Sequence, residues 1–318
     1  MHVAPKRTPH LQMIDGVPRS PIVKPEVYRE ALSFKPAADD VILVTYPKSG
    51  THWVSQIALL ILNRGQSPRD LADFVRQAPC LEMNGVSVSY TSPRFLRTHL
   101  PFGQIRYSND SKYIYVARNP LDACVSFYHY IKNLPHYRFE DGKFEDFVEA
   151  FIKGRVGQAD HLEHVLSGYA RRHASNVLFL TYEELKADTA GIIVKLAKFF
   201  GETYASMFEK DTGLMNEILS KSGLEYMRNT YEMSIDELCV IYNIRPLPQD
   251  IADAPSKIKI EPRKLSAMRK GTTADWREHF TPELLQQMRA WIYDKSQCFD
   301  LMSLWRNELA ASDLDSSI

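Results

Sequence analysis

Lys48, His99, Arg118 and Tyr182 are an ammonium, an imidazole, a guanidinium and a phenol, each placed directly after a short apolar run. Lys48 lies in TYPKSGT, residues 45–51, between apolar runs at 41–44 and 54–62. Pro47 and Gly50 mark a turn, and Ser49 or Thr51 can cap a helix behind it. Such a turn points backbone N–H groups, a helix N-terminus and one ammonium at a single spot, which suits phosphate or sulfate. An ordinary strand–turn–helix connection with an exposed lysine is the competing reading. The order is not that of the nucleotide P-loop, G-x-x-x-x-G-K-[ST]. Here Lys48 precedes Gly50, and the turn holds no earlier glycine.

The elements that must position these groups follow from the apolar pattern. Runs at 41–44, 95–98, 113–117 and 177–180 read as buried strands. Helical patterns at 54–62, 121–131, 144–152, 162–171 and 192–200 alternate with them, which predicts βαβ units and a mainly parallel sheet. Asn119 before Pro120 is a good helix opening, and Gly201 a good helix end. In open α/β sheets ligands bind at the carboxyl ends of the strands. Parallel strands would bring Lys48, His99, Arg118 and Tyr182 to one crevice, where two cations, a titratable ring and a phenol suit a polyanion and a proton transfer. A magnesium-dependent phosphoryl transferase wants an Asp at a strand end to hold its metal. The third strand, KYIYVAR, closes instead on Arg118, which favours a metal-free site.

The rest of the chain sets limits. Its 318 residues, 44% of them apolar, fit one large α/β domain or two small ones, and neither a repeat nor a sharp linker divides them. One domain over 1–318 is expected, with 1–14 and 311–318 as flexible tails and a proline-rich first forty residues wrapped around it. Lys+Arg and Asp+Glu balance at 39 each, so no overall field attracts nucleic acid or an anionic membrane. Four scattered cysteines, no signal-peptide pattern and no apolar stretch of about 18 residues point to a cytoplasmic protein with free thiols. Beyond residue 215 the pattern weakens. A helix at 216–228 is expected, then a long polar loop within 233–257 and a last helix at 281–293.

The segments TYPKSGTHW, RTHLP, YVARNPLDACVSFYHY and RKGTTADWREHF resemble, in order, the signature blocks of the cytosolic sulfotransferases. The resemblance spans roughly residues 15–304. It implies one α/β domain on a parallel sheet of about five strands, with a P-loop-like turn for a phosphosulfate. It also implies transfer of a sulfuryl group from 3′-phosphoadenosine 5′-phosphosulfate (PAPS) to a hydroxyl or amine of a small phenol, catechol, biogenic amine or sterol. Adenosine 3′,5′-bisphosphate would be released, and no metal is needed. The resemblance assigns Lys48, Ser49, Gly50, Thr51, His52 and Trp53 to the 5′-phosphosulfate and adenine. Arg118 and Ser126 would grip the 3′-phosphate, closed over by Arg269, Lys270 and Gly271. Tyr182, Ser222, Leu224 and Met227 would meet the adenine. His99 would be the general base, with Lys48 on the leaving group and Arg97 beside the sulfuryl group.

The departures are specific. Relatives usually carry Lys at Arg97, often Thr at His52, often an aromatic at Leu224, and usually Gly at Ala274. The dimer motif of relatives, K-x-x-x-T-V-x-x-x-E, is poorly matched from Arg277 to Gln286, which leaves monomer or homodimer open. The acceptor pocket would include Cys80, Phe127, Tyr137 and His164. Those aromatics, with Tyr128 and Tyr130, also fit a plain core. His161 and His164 in HLEH could suggest a metal pair, but no supporting ligand cluster accompanies them. Two rival readings are a non-catalytic PAPS or small-ligand binding protein and a P-loop-like phosphoryl transferase.

Overall fold

Val41–Thr45, the run VILVT, is fully buried, as a strand of a parallel sheet covered on both faces should be. The computed structural model describes residues 6–85, 93–247, 269–296 and 301–306. Strands are numbered along the chain: β1 (Gln12–Ile14), β2 (Val17–Arg19), β3 (Val41–Thr45), β4 (Phe95–Thr98), β5 (Lys112–Ala117) and β6 (Val177–Thr181). β3 to β6 form a parallel sheet in the order β4-β3-β5-β6. Val41 aligns with Phe95 on one side and Lys112 on the other, and Tyr113 aligns with Val177, so all four strands end at one rim. The order reverses at β3, which opens a crevice above its carboxyl end.

Four strands rather than about five make up this sheet among the described residues. Beyond β4 the chain adds only one parallel bridge, Cys80 to Arg97. It then turns at once into a helix, Leu81–Asn84, so no further strand develops there.

The helices are α1 (Pro25–Ser33), α2 (Thr51–Leu62), α3 (Leu71–Gln77), α4 (Leu81–Asn84), α5 (Pro120–Lys132), α6 (Phe144–Ile152), α7 (His161–Tyr169), α8 (Tyr182–Ala187) and α9 (Thr189–Phe200). α2 buries Val54, Ile57, Ala58, Leu60 and Ile61 completely against the sheet. Full burial of an aliphatic side chain contributes about 1.5–3 kcal/mol, so this face fixes where the turn before α2 sits. Asn119 caps α5 as expected, accepting from the Asp122 N–H at 2.8 Å.

Three regions differ from the sequence reading. Residues 12–14, expected in a flexible tail, are strand β1, with Ile14 buried against the core and the His10 N–H bonded to the Tyr137 carbonyl at 2.7 Å. The helix expected at 216–228 is two, Leu214–Lys221 and Leu224–Tyr231. They part because Gly223 takes an extended conformation, ψ 151°, before the second helix. The segment expected to be a loop after 233 contains the helix Ile235–Ile241, opened by a capping box between Ser234 and Glu237. The last helix runs Pro282–Ser296. Residues 248–257 of the expected loop, Cys298 and the tail 311–318 lie outside the described residues. Cys80, Cys124 and Cys239 are free thiols. No described helix is long and apolar enough to cross a membrane.

Candidate active site

The turn after β3 departs from its expected capping in a useful way. Gly50, not Ser49 or Thr51, is the N-cap of α2, and among the described residues no cap side chain bonds the first N–H groups of that helix. Those donors are left for an anion. Gly50 has φ +96°, and a Cβ there would stand 2.9 Å from the Tyr182 ring, so conformation and space both demand glycine. Lys48 is also left-handed, at φ +70°, a conformation that costs a non-glycine residue about 1–3 kcal/mol. Arg118 holds it there by donating from Nη1 to the Lys48 carbonyl at 2.9 Å.

The strand ends do converge. Lys48, His99, Arg118 and Tyr182 line one cavity of about 720 Å³. The Lys48 ammonium stands 4.7 Å from the centre of the Tyr130 ring. Burial, and then the nearby Arg118 and Arg269, lower its pKa to about 8. Arg118 lies over the Tyr182 ring at 4.2 Å, and Tyr182 meets Trp53 edge to face at 5.6 Å. Trp53 and Tyr182 thus form an aromatic corner beside two cations, a shape suited to a purine nucleotide.

The opposite wall comes from residues 269–276. Arg269 and Lys270 are paired to the Asp275 carboxylate, Lys270 at 2.6 Å. Asp122 of α5 fixes this segment by accepting from the N–H groups of Ala274, at 2.8 Å, and Trp276, at 3.1 Å. Ala274 sits at φ +62°, where glycine would be unstrained. Gly271, at φ +66°, packs against Leu224, which a Cβ would meet at 3.2 Å. Ser126, Ser222, Leu224 and Met227 line the same cavity.

Three polar atoms here are buried without a hydrogen-bond partner: Ser49 Oγ, Arg118 Nε and Arg269 Nε. Buried donors of this kind are rare unless a ligand completes them. With the uncapped end of α2, they fit a ligand bearing two anionic groups.

His99 sits at the seam between this half and the more apolar half of the cavity. Its Nδ1 donates to the Thr45 carbonyl at 2.8 Å. A carbonyl can only accept, so the neutral ring carries its proton on Nδ1 and keeps Nε2 as a base. Glu82, buried in α4, accepts from the His99 N–H at 2.6 Å and the Thr98 hydroxyl at 2.9 Å, locking the backbone. Burial lowers the His99 pKa below the ordinary imidazole value, Glu82 opposes this, and Arg97 and Lys48 add to it. The ring is therefore neutral near pH 7.

Cys80, Phe127 and Tyr137 line the apolar half, with Met83, Leu134 and Met233. Tyr137 shares a 2.7 Å hydrogen bond with Ser20 of the N-terminal segment. His164, expected in the acceptor pocket, is buried outside it. Its Nε2 donates to the His99 carbonyl at 3.1 Å, and its Nδ1 lies 2.7 Å from the Tyr115 hydroxyl. Both ring nitrogens are thereby occupied, and its place is behind His99. His161 of the same motif is buried against Tyr46, ring centroids 4.7 Å apart, rather than paired with His164 at a metal.

Arg97 and His52 meet a shared partner. Arg97 is buried, its Nε donating to the Ala78 carbonyl at 2.5 Å, with its guanidinium 4.9 Å from the Phe74 ring and 5.8 Å from the Tyr242 ring. His52 stacks on Phe74 and lies 2.8 Å from the Tyr242 hydroxyl. Tyr242 follows the helix Ile235–Ile241 and lines the cavity. Sequence reading missed Glu82, Asp122 and Tyr242. The capping box at 234–237 was the available signal for the Tyr242 segment, whereas nothing local marks Glu82.

The sulfotransferase domain model matches residues 38–300. Rabbit sulfotransferase 1C2 is 31% identical over 289 residues, 87% of this chain and 89% of that protein. Human sulfotransferase 1E1 is 33% identical over 265 residues, 79% and 82% of the two chains. The crystal structure of mouse sulfotransferase SULT7A1 complexed with PAP covers 95% of this chain and 99% of its own, with TM-score 0.69 and 22% identity, a likeness of fold. The chain belongs to the sulfotransferase family.

Proposed function

We propose that this chain is a single sulfotransferase domain that moves the sulfuryl group of PAPS to a hydroxyl or amine of a small acceptor. One observation carries the reading. Lys48, Arg118 and the uncapped N-terminus of α2 face the same cavity as His99, whose Nε2 is left as the acceptor nitrogen. The buried, unpartnered Arg118 Nε and Arg269 Nε give the 3′-phosphate its donors, and the turn from Lys48 to Trp53 gives the 5′-phosphosulfate its N–H groups.

In this mechanism His99 Nε2 takes the proton of the acceptor hydroxyl as its oxygen bonds to sulfur. The bond from sulfur to the 5′-phosphate oxygen breaks, and the electron pair leaves with adenosine 3′,5′-bisphosphate. Lys48 and the N–H groups of α2 stabilise that charge, electrostatic work worth about 10²–10³-fold per donor. His99 needs no covalent intermediate, and the reaction needs no metal. Arg97 and His52 act on the acceptor side, through Tyr242. We place the protein in the cytoplasm, as a monomer or homodimer.

The test is transfer from sulfur-labelled PAPS to a panel of phenols, catechols, amines and sterols. Labelled product sustains the reading. Tight binding of adenosine 3′,5′-bisphosphate with no product from any acceptor would make the chain a binding protein instead.

A further inference from the structure

Glu82 of α4 is buried and makes no ion pair with a Lys or Arg among the described residues. Acids are almost never fully buried unless they are paired, so its place needs a reason. Both oxygens point at the end of β4. Oε1 accepts from the His99 N–H at 2.6 Å and Oε2 from the Thr98 hydroxyl at 2.9 Å. That hydroxyl in turn accepts from the Leu100 N–H at 3.0 Å. A carboxylate oxygen of Glu82 also lies within 4.8 Å of a ring nitrogen of His99. α4 is itself held, because Asn84 accepts from the Cys80 N–H at 3.0 Å and donates to the Ile241 carbonyl at 3.2 Å. The carboxylate is thus fixed in place before any ligand arrives.

The other titratable groups that face His99 come from several elements. Lys48 of the turn after β3 and Arg97 of β4 are cations. His52 of α2, His164 of α7 and the Cys80 thiol are kept neutral near pH 7, chiefly by burial. Taking a proton would therefore add positive charge to a buried site that already holds two cations. An opposite charge within about 4–6 Å favours the charged form of a group, and Glu82 stands at that distance.

We propose that Glu82 is a positioning residue for sulfuryl transfer: its carboxylate balances the imidazolium that His99 becomes on taking the acceptor's proton. The proposal rests on the reading of His99 as the base. It goes beyond support of the backbone, because it assigns the charge of Glu82, and not only its shape, to the reaction. Burial and the two cations weaken His99 as a base, and Glu82 restores part of that strength. A stronger base takes the proton earlier and faster.

The experiment compares the full-length protein with Glu82→Gln, which keeps the size and an oxygen for the His99 N–H but removes the charge. Glu82→Asp keeps the charge on a shorter stem. Thermal melts and affinity for adenosine 3′,5′-bisphosphate confirm that the variants are folded. Single-turnover rates with sulfur-labelled PAPS are taken across pH, and the His99 ring is titrated by NMR, its signal assigned by its loss in His99→Asn. In Glu82→Gln the plateau rate should fall by about tenfold or more, part of the 10²–10⁴-fold that a positioned base supplies. The acid limb and the NMR midpoint of His99 should both move to lower pH, and Glu82→Asp should bring the midpoint back toward that of the unaltered chain. A midpoint that stays in place in Glu82→Gln, or a plateau rate within about twofold, would overturn the proposal. If no acceptor is turned over by the unaltered chain, the sulfuryl-transfer reading falls, whereas the NMR titration still decides whether Glu82 sets the charge of His99.

Discussion

The two halves of the cavity are built by different means. The half we assign to the nucleotide rests on the ends of β3 and β5, on a turn whose backbone is set by Lys48 and Gly50, and on charge; the other half we assign to the acceptor. The acceptor half is assembled from far-apart pieces: the segment around Ser20, Cys80 beside β4, the α5 face at Phe127, Tyr137, and Tyr242. Strand pairing fixes the ends of β3 and β5 that carry the first half. The second is set by packing of side chains from at least five segments, so it can vary while the first stays constant. His99 stands at the boundary, with its backbone held by Glu82 and its ring by Thr45.

The strongest way to break this division is His99→Asn. Asn cannot accept the proton, but its Nδ2, near the place of Nδ1, can still donate to the Thr45 carbonyl. Turnover with PAPS should fall by about 10²–10⁴-fold, while affinity for adenosine 3′,5′-bisphosphate stays unchanged. Single-turnover rates and equilibrium binding measure the two separately. A parallel loss of nucleotide affinity would show that His99 belongs to the nucleotide half, and near-normal turnover would remove it as the base.

A second test lies in pH. In the free protein the Lys48 pKa is lowered to about 8, so its ammonium is lost as pH rises through that value. The kcat/KM for PAPS, which reports the free enzyme, should therefore fall above about pH 8, approaching tenfold per unit. On the acid side His99 has its pKa lowered, so its neutral form persists below the ordinary imidazole range, and the acid limb lies below about 6.5. Lys48→Arg keeps a cation at all these pH values. If the alkaline limb survives in that variant, Lys48 is not its source.

The same division explains what could be read from the sequence. The nucleotide half was legible because its residues sit directly after apolar runs, so finding the strands located Lys48, His99, Arg118 and Tyr182. The helix cap was misplaced at Ser49 or Thr51, because the sequence does not show that Lys48 adopts a left-handed conformation and makes Gly50 the N-cap. The acceptor half was less accessible. Cys80, Phe127 and Tyr137 do line the cavity, but His164 went to the back of His99 because a helix spacing cannot say which partner its nitrogens find. Glu82 went unseen for a related reason: its role depends on β4 running beside α4, a contact across 16 residues for Thr98 and 17 for His99. The fifth strand came from resemblance and not from an apolar run, and among the described residues only the Cys80 to Arg97 bridge stands in its place.

The finest test addresses a polar tie between the halves. His52 belongs to the turn that follows β3, whereas Tyr242 belongs to the acceptor side, and the two are 2.8 Å apart. Burial, chiefly, lowers the His52 pKa well below the ordinary value, with Arg97 adding to the effect. The ring is thus neutral, and its Nε2 can accept from the Tyr242 hydroxyl. Tyr242→Phe removes that hydroxyl and keeps the ring against Arg97. Loss of a hydrogen bond of this kind costs about 0.5–1.5 kcal/mol, or roughly 2–10-fold, and the loss should appear in KM for the acceptor. Affinity for adenosine 3′,5′-bisphosphate should not move, because the cradle around Lys48 depends on backbone groups and Arg118. If nucleotide affinity fell as far as acceptor KM rose, the His52–Tyr242 contact would be a coupling between the sites, and the two halves would have to be treated as one.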